Sequence, residues 1–166
     1  MRPREVSTSA HGPVGVDEAW ERYADPSRWA DWAPHLRRVE VDGVAADGTV
    51  RLHPGMSGRV HGSLGLAVDF VVTAVDEPAR TWSWTVRLVR PVPGPFRLDL
   101  HHTLETVGES GTGQDDHADR TVTEKKTATG PGTARGTEAG LVLRGPTPVV
   151  LAYRPVARWA LRRLVT

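Results

Sequence analysis

The chain contains no cysteine, so a disulfide framework, a thiolate metal site and a cysteine nucleophile are all excluded. Phenylalanine and tyrosine are scarce, at two each, and six tryptophans carry most of the large aromatic surface. Placement of the indoles will therefore shape any interior space. An excess of charge of one sign is also missing. The 21 basic and 20 acidic residues leave a formal net charge of +1, too weak a field to mark nucleic acid or an acidic membrane as the main partner. No uncharged run approaches the roughly 18 apolar residues of a membrane span, and residues 1–5 lack the apolar core of a secretory signal. A soluble cytoplasmic protein is the expectation.

Signature motifs are absent too. There is no G-x-S-x-G elbow, no H-E-x-x-H and no P-loop, and Gly111-Thr112-Gly113 stands in a polar stretch without the strand and helix of a dinucleotide site. Asp115, Asp116, His117 and Asp119 fit an acidic loop better than a cation site. No cofactor and no metal are expected.

What is present fits one globular domain: 166 residues, 39% hydrophobic and 25% charged. Residues 4–10 alternate as a strand, with Val6, Thr8 and Ala10 on one side. Helical spacing follows, with Val16, Trp20 and Tyr23 as the apolar stripe and Asp17 and Glu18 favouring the start. Asp25-Pro26 ends this helix, and Ser27 is positioned to cap a second short one carrying Trp29 and Trp32, which stops before Pro34. Strands are predicted over 36–42, 49–53 and the glycine-dotted 58–66. Residues 68–75 and 82–88 form a clear hairpin about Asp76-Glu77-Pro78-Ala79, and 96–105 show the cleanest alternation, with Phe96, Leu98, Leu100, His102 and Leu104 on one face. The stretch 108–137 is polar and is expected to be a mobile loop with at most a weak strand over 121–127; a final strand is placed at 138–144.

The segment 146–166 reads as one long amphipathic helix. Val149, Val150, Tyr153, Val156, Ala157, Ala160, Leu161 and Leu164 share an arc at about 100° per residue. Laid across the concave face of an antiparallel sheet, that arc is buried and can enclose a pocket. Pro155 would kink this helix or mark its start. Arg154, Arg158 and Arg162 form a solvated flank, while Trp159 falls outside the arc.

The phrases Asp17-Glu18-Ala19-Trp20, Asp25-Pro26-Ser27-Arg28-Trp29, Trp32-Ala33-Pro34-His35 and Val39-Glu40 resemble the opening of the polyketide cyclase/dehydratase branch of the START-like (SRPBCC) superfamily. The central hairpin from Phe70 to Pro78, continued by Arg80-Thr81-Trp82-Ser83-Trp84, and Arg144-Gly145-Pro146 before the last helix are similar to the same family. The resemblance implies an α+β helix-grip fold: a curved antiparallel sheet around a long C-terminal helix, with two short helices after the first strand. It also implies a deep apolar cavity for lipids, polyketides, hormones or other apolar molecules, and no universal catalytic motif.

Within that frame the expected ligand-binding residues are Phe70, Trp82, Trp84, Leu100, His102 and Tyr153. His102 interrupts an apolar face and is the first candidate acid or base, against the alternative of a hydrogen-bonded core histidine. His61, beside Arg59 on the glycine-dotted strand, is a second candidate, and His53 a third, against solvated strand positions. His101 points away from His102, so the two cannot act jointly. The expected function is binding of a small hydrophobic or aromatic molecule, with cyclase/dehydratase turnover as an added activity. A non-enzymatic carrier or sensor and a protein-interaction module are the alternatives.

Overall fold

The first strand, β1 (Arg4–Gly12), buries Thr8 and Ala10 and leaves the intervening residues toward solvent. A computed structural model of the chain describes residues 3–45, 48–91, 94, 96–108 and 136–166. Helix α1 (Val16–Ala24) buries Trp20 and Tyr23 of the expected stripe together with Ala19 and Ala24, while Val16 is partly buried. Asp25, not Ser27, caps the next turn: its carboxylate accepts from the Ser27 backbone N–H at 2.9 Å and from its hydroxyl at 2.6 Å. A single 3-10 turn at Pro26–Arg28 leads into α2 (Trp29–Trp32).

The sheet comprises β2 (Leu36–Val41), β3 (Ser57–Gly62), β4 (Ala67–Asp76), β5 (Thr81–Arg90), β6 (Arg97–Val107) and β7 (Gly136–Gly145), with β1 as an edge. Its order is β1-β7-β6-β5-β4-β3-β2 and every pairing is antiparallel. The sheet curves, with register irregularities in β2 and β4.

Two strand expectations are corrected. Residues 49–53 form no strand, because the Leu52 amide donates to the Ala24 carbonyl at 2.7 Å and Arg51 forks onto Glu21, tying the segment to α1 rather than to a ladder. The expected strand 58–66 is broken after Gly62: Leu64 and Gly65 adopt φ of 59° and 74°, and the chain turns back into β4. Strand β7 begins at Gly136, before the expected 138. Within the expected loop 108–137, residues 109–135, including the weak strand at 121–127 and the acidic cluster around His117, lie outside the described residues.

The long helix, α3 (Thr147–Leu164), is continuous through Pro155 and buries Val150, Ala157, Ala160, Leu161 and Leu164. It packs on β1 and β7. Its C-terminal end is fastened: the Val165 carbonyl accepts from the Val14 amide at 3.2 Å, and Arg22 Nη1 donates to the Leu164 carbonyl at 2.6 Å. This is a favourable place for a guanidinium, since the last carbonyls of a helix lack intrahelical donors and carry partial negative charge. Gly12 makes the close approach possible, because a Cβ there would sit 2.0 Å from the Val165 carbonyl oxygen. Among the described residues, no helix is long and apolar enough to cross a membrane.

Gly12→Ala is expected to lower stability by about 1–3 kcal/mol, the usual cost of forcing a methyl into a filled contact. Urea denaturation checks this, and a loss near zero would mean that the helix end does not rest on β1.

Candidate functional site

Alternation along β5 and β6 sends Trp82, Trp84, Leu98, Leu100, His102 and Leu104 to the inner face, where all are buried. The register sets Trp82 opposite His102 and Trp84 opposite Leu100. Helices α1 and α2 press further aromatics against this face. Trp29 lies 5.4 Å from Trp82 and 5.2 Å from Trp84 between ring centres, and Tyr23 meets Trp32 edge-on at 5.3 Å. One half of the space under α3 is thereby packed with rings.

The other half holds a cavity of about 250 Å³. Val60, Val68, Val86, Leu98 and Leu100 supply its strand-side walls, and Val149 and Tyr153 of α3 supply the roof. Leu66 and Phe96 also line it and remain 43% and 45% exposed, which places an apolar rim between the β3–β4 turn and the start of β6. Arg97 borders the rim, but its guanidinium is bonded to Asp99 at 2.9 Å and Thr85 at 3.1 Å. The polar groups that face the cavity with their own chemistry are His35 and Tyr153, whose Nε2 and hydroxyl lie 3.2 Å apart.

Behind that pair is an inner recess of about 40 Å³. It shares His35, Leu36, Trp84 and Tyr153 with the cavity and is otherwise walled by Trp29, Trp32, Ala33, Trp82, His102, Leu141 and the α3 residues Ala157, Ala160 and Leu161.

Burial fixes the charge state of these groups. Desolvation pushes the His35 pKa down to about 4 and raises that of Tyr153 to about 12. His102 is pushed down to about 3, first by desolvation and then by the neighbouring His101. All three are neutral near pH 7. The Trp84 indole N–H can only donate, so its 3.1 Å bond to His102 Nε2 makes that nitrogen an acceptor and leaves Nδ1–H to donate to the Tyr23 hydroxyl at 3.1 Å. His102 also stacks on Trp82 at 4.4 Å with an interplanar angle of 8°. Both its nitrogens are occupied within the core.

The sequence-derived candidates thus divide. Trp84, Leu100 and Tyr153 line the cavity, Trp82 and His102 line only the recess, and Phe70 is buried against Trp29 and Trp84 and lines neither. His61 bonds Glu40 at 3.0 Å and Arg59 bonds Asp69 at 2.7 Å on the other face of β3, whose Val60 and Gly62 line the cavity. His53 is exposed and bonds the Pro54 carbonyl at 3.0 Å. His35 was missed as a site residue. It stands in the short connection between α2 and β2, and periodicity does not assign an inward direction to such a position.

A helix gripped by a curved antiparallel sheet, with an apolar chamber between them, defines the helix-grip class. The solved structure of Ara h 8.0201 is similar in fold, with a TM-score of 0.62 at 12% identity over 98% of this chain and 95% of that one. The family model described as "Polyketide cyclase / dehydrase and lipid transport" matches residues 3–163, and the chain belongs to that family. Among curated proteins, none matches.

Because the unfolded chain protonates both imidazoles below their ordinary value of 6.5 while the folded chain resists until about 4 and 3, the unfolded state binds more protons in this window. Stability is therefore expected to fall as pH drops below about 6.5, by up to about 1.4 kcal/mol per pH unit for each histidine. Urea titrations at about pH 6 and about pH 4.5 measure the slope. His35→Asn, which cannot titrate, should remove its share, and an unchanged slope would contradict a buried neutral His35.

Proposed function

We propose that this protein binds a compact, uncharged ring molecule in the cavity beneath α3. The observation that carries this reading is the composition of the walls: aliphatic and aromatic side chains, with one neutral hydrogen-bonding pair, His35 and Tyr153, facing the cavity, and Arg97 at the rim already bonded to Asp99 and Thr85. Such walls draw apolar surface out of water, worth roughly 25 cal/mol per Å², and penalise a charged guest that they cannot pair. The size favours a guest of one or two rings, since about 250 Å³ lies just under the roughly 300–1,000 Å³ of drug-sized sites. Family membership supports an apolar guest without identifying it.

A cyclase/dehydratase activity is a second reading, supported by the same pair. A hydroxyl bonded to an imidazole at the wall of an apolar chamber can hydrogen-bond an oxygen of a polyketide-like chain folded against the apolar surfaces and so orient it for enolisation and water loss. In that case Tyr153→Phe would cut turnover of a linear poly-β-ketone about 100-fold or more while leaving its binding within a few-fold.

Naphthalene is expected to quench the fluorescence of Trp84 and raise the melting temperature, while 2-naphthoate, of similar shape but charged, does neither. Val149→Trp, which fills the roof of the cavity, should abolish the naphthalene response in a protein that still unfolds cooperatively. Equal responses to both compounds, or a response that survives Val149→Trp, would rule out this cavity as the site.

A further inference from the structure

The sheet has an open edge at β1. An unbroken register joins Arg4–Gly12 to β7, and among the described residues no backbone hydrogen bond joins residues 4–11 to any other segment. One row of β1 N–H and C=O groups therefore has only water as a partner, an exposure that edge strands commonly guard with proline, a bulge or charge. Residues 6–10, from Val6 to Ala10, carry none of these guards. Ionic contacts occur only toward the two ends, where Glu5 bonds Arg144 at 2.6 Å and His11 lies 3.6 Å from Glu138.

A groove of about 390 Å³ adjoins this uncharged stretch. Ser7, Thr8 and Ser9 line it from β1, and Arg154 and Arg158 line it from α3. Gly140, the register partner of Ser9, also belongs to the lining and adds no side chain to it. The two arginines stand one turn apart on a helix whose residues 147–164 include no aspartate or glutamate, and among the described residues no ion pair neutralises either. Like charges so placed repel. An open hydrogen-bonding edge and an uncompensated pair of cations thus share one groove, and an extended chain bearing carboxylates satisfies both.

The spacing fixes the pattern of that chain. At 1.5 Å per residue, Arg154 and Arg158 are separated by about 6 Å along α3. Alternate residues of a strand are about 6.7 Å apart and point to the same side, whereas adjacent residues point to opposite sides. Carboxylates at positions i and i+2 of an added strand therefore match the two guanidinia. A bilayer or a nucleic acid offers phosphates but no strand to pair with the edge.

We infer that β1 is a docking edge for an acidic peptide segment of a partner protein, which adds an eighth strand to the sheet and sets two carboxylates, two residues apart, against Arg154 and Arg158. This site is separate from the cavity beneath α3 and does not depend on what that cavity holds.

The peptides acetyl-Thr-Val-Glu-Val-Glu-Val-Thr-amide and acetyl-Thr-Val-Glu-Glu-Val-Val-Thr-amide have the same composition and charge and differ only in the spacing of their carboxylates. Calorimetry should show the first binding to the wild-type protein and its isomer binding about tenfold more weakly, the effect of losing one charge-assisted hydrogen bond. Hydrogen exchange should slow at β1 amides when the first peptide is bound. The double variant Arg154→Gln, Arg158→Gln alters exposed positions only, and it should bind the two isomers equally. Absence of binding by the first peptide, equal affinities of the isomers for the wild-type protein, or binding that leaves β1 exchange unchanged would each overturn the proposal. An isomer preference that persists in the double variant would also overturn it, leaving the arginines as guards of the edge.

Discussion

The structure depends on one asymmetric contact, the seating of α3 on the β1–β7 end of the sheet. Ala157 and Ala160 let the C-terminal half of the helix approach closely, Leu161 and Leu164 fill the interface, and Val14 and Arg22 hold the last carbonyls. The N-terminal half is carried outward from that anchor over a sheet that curves away beneath it. Val149 and Tyr153 therefore roof a chamber instead of packing solid. The same amphipathic stripe closes a core at one end and roofs a cavity at the other.

Aromatic packing decides where the chamber stops. Trp29, Trp82 and Trp84 meet within 5.2–5.4 Å of one another, and Tyr23 and His102 complete the wall. Rings of this size bring donors into the core along with their surface, and each must be satisfied locally. Trp29, Trp32 and Trp84 succeed, using carbonyls of α1 and the His102 ring. Trp82 faces His102 in stacking geometry and has no such outlet. The Arg59–Asp69 ion pair and the His61–Glu40 hydrogen bond lie on the other side of the sheet, where water screens them and their contribution to stability is small.

Much of this was legible in the chain. Strict alternation over β5 and β6 gave the inward set correctly, because a pleated strand permits only two directions. The arc of α3 likewise separated buried from solvated residues, down to exposed Trp159. The failures fall where direction is not periodic. Residues 49–53 look like a strand because Val50 and Leu52 alternate with polar neighbours, yet backbone bonding to α1 overrides that pattern. The turn at Leu64 was hidden because a leucine at positive φ contradicts its own preference, and nothing local announces it. His35 sits in a connection, and Phe70, correctly placed inward, is shielded from the cavity by Trp29 and Trp84. Sequence pattern identified the inner face; it could not say which inward residues end at a ring and which at a space.

The same geometry bears on the choice between binding and turnover. A proton shuttle works best when its pKa lies near the working pH, because the donor must be protonated and yet willing to release. Burial has moved His35 and Tyr153 in opposite directions, to about 4 and about 12, so near neutrality the imidazole is a poor base and the phenol a poor acid. Both remain good hydrogen-bond donors or acceptors in their neutral forms, and an apolar chamber strengthens those bonds. The pair is thus better suited to recognising an uncharged polar atom than to moving protons.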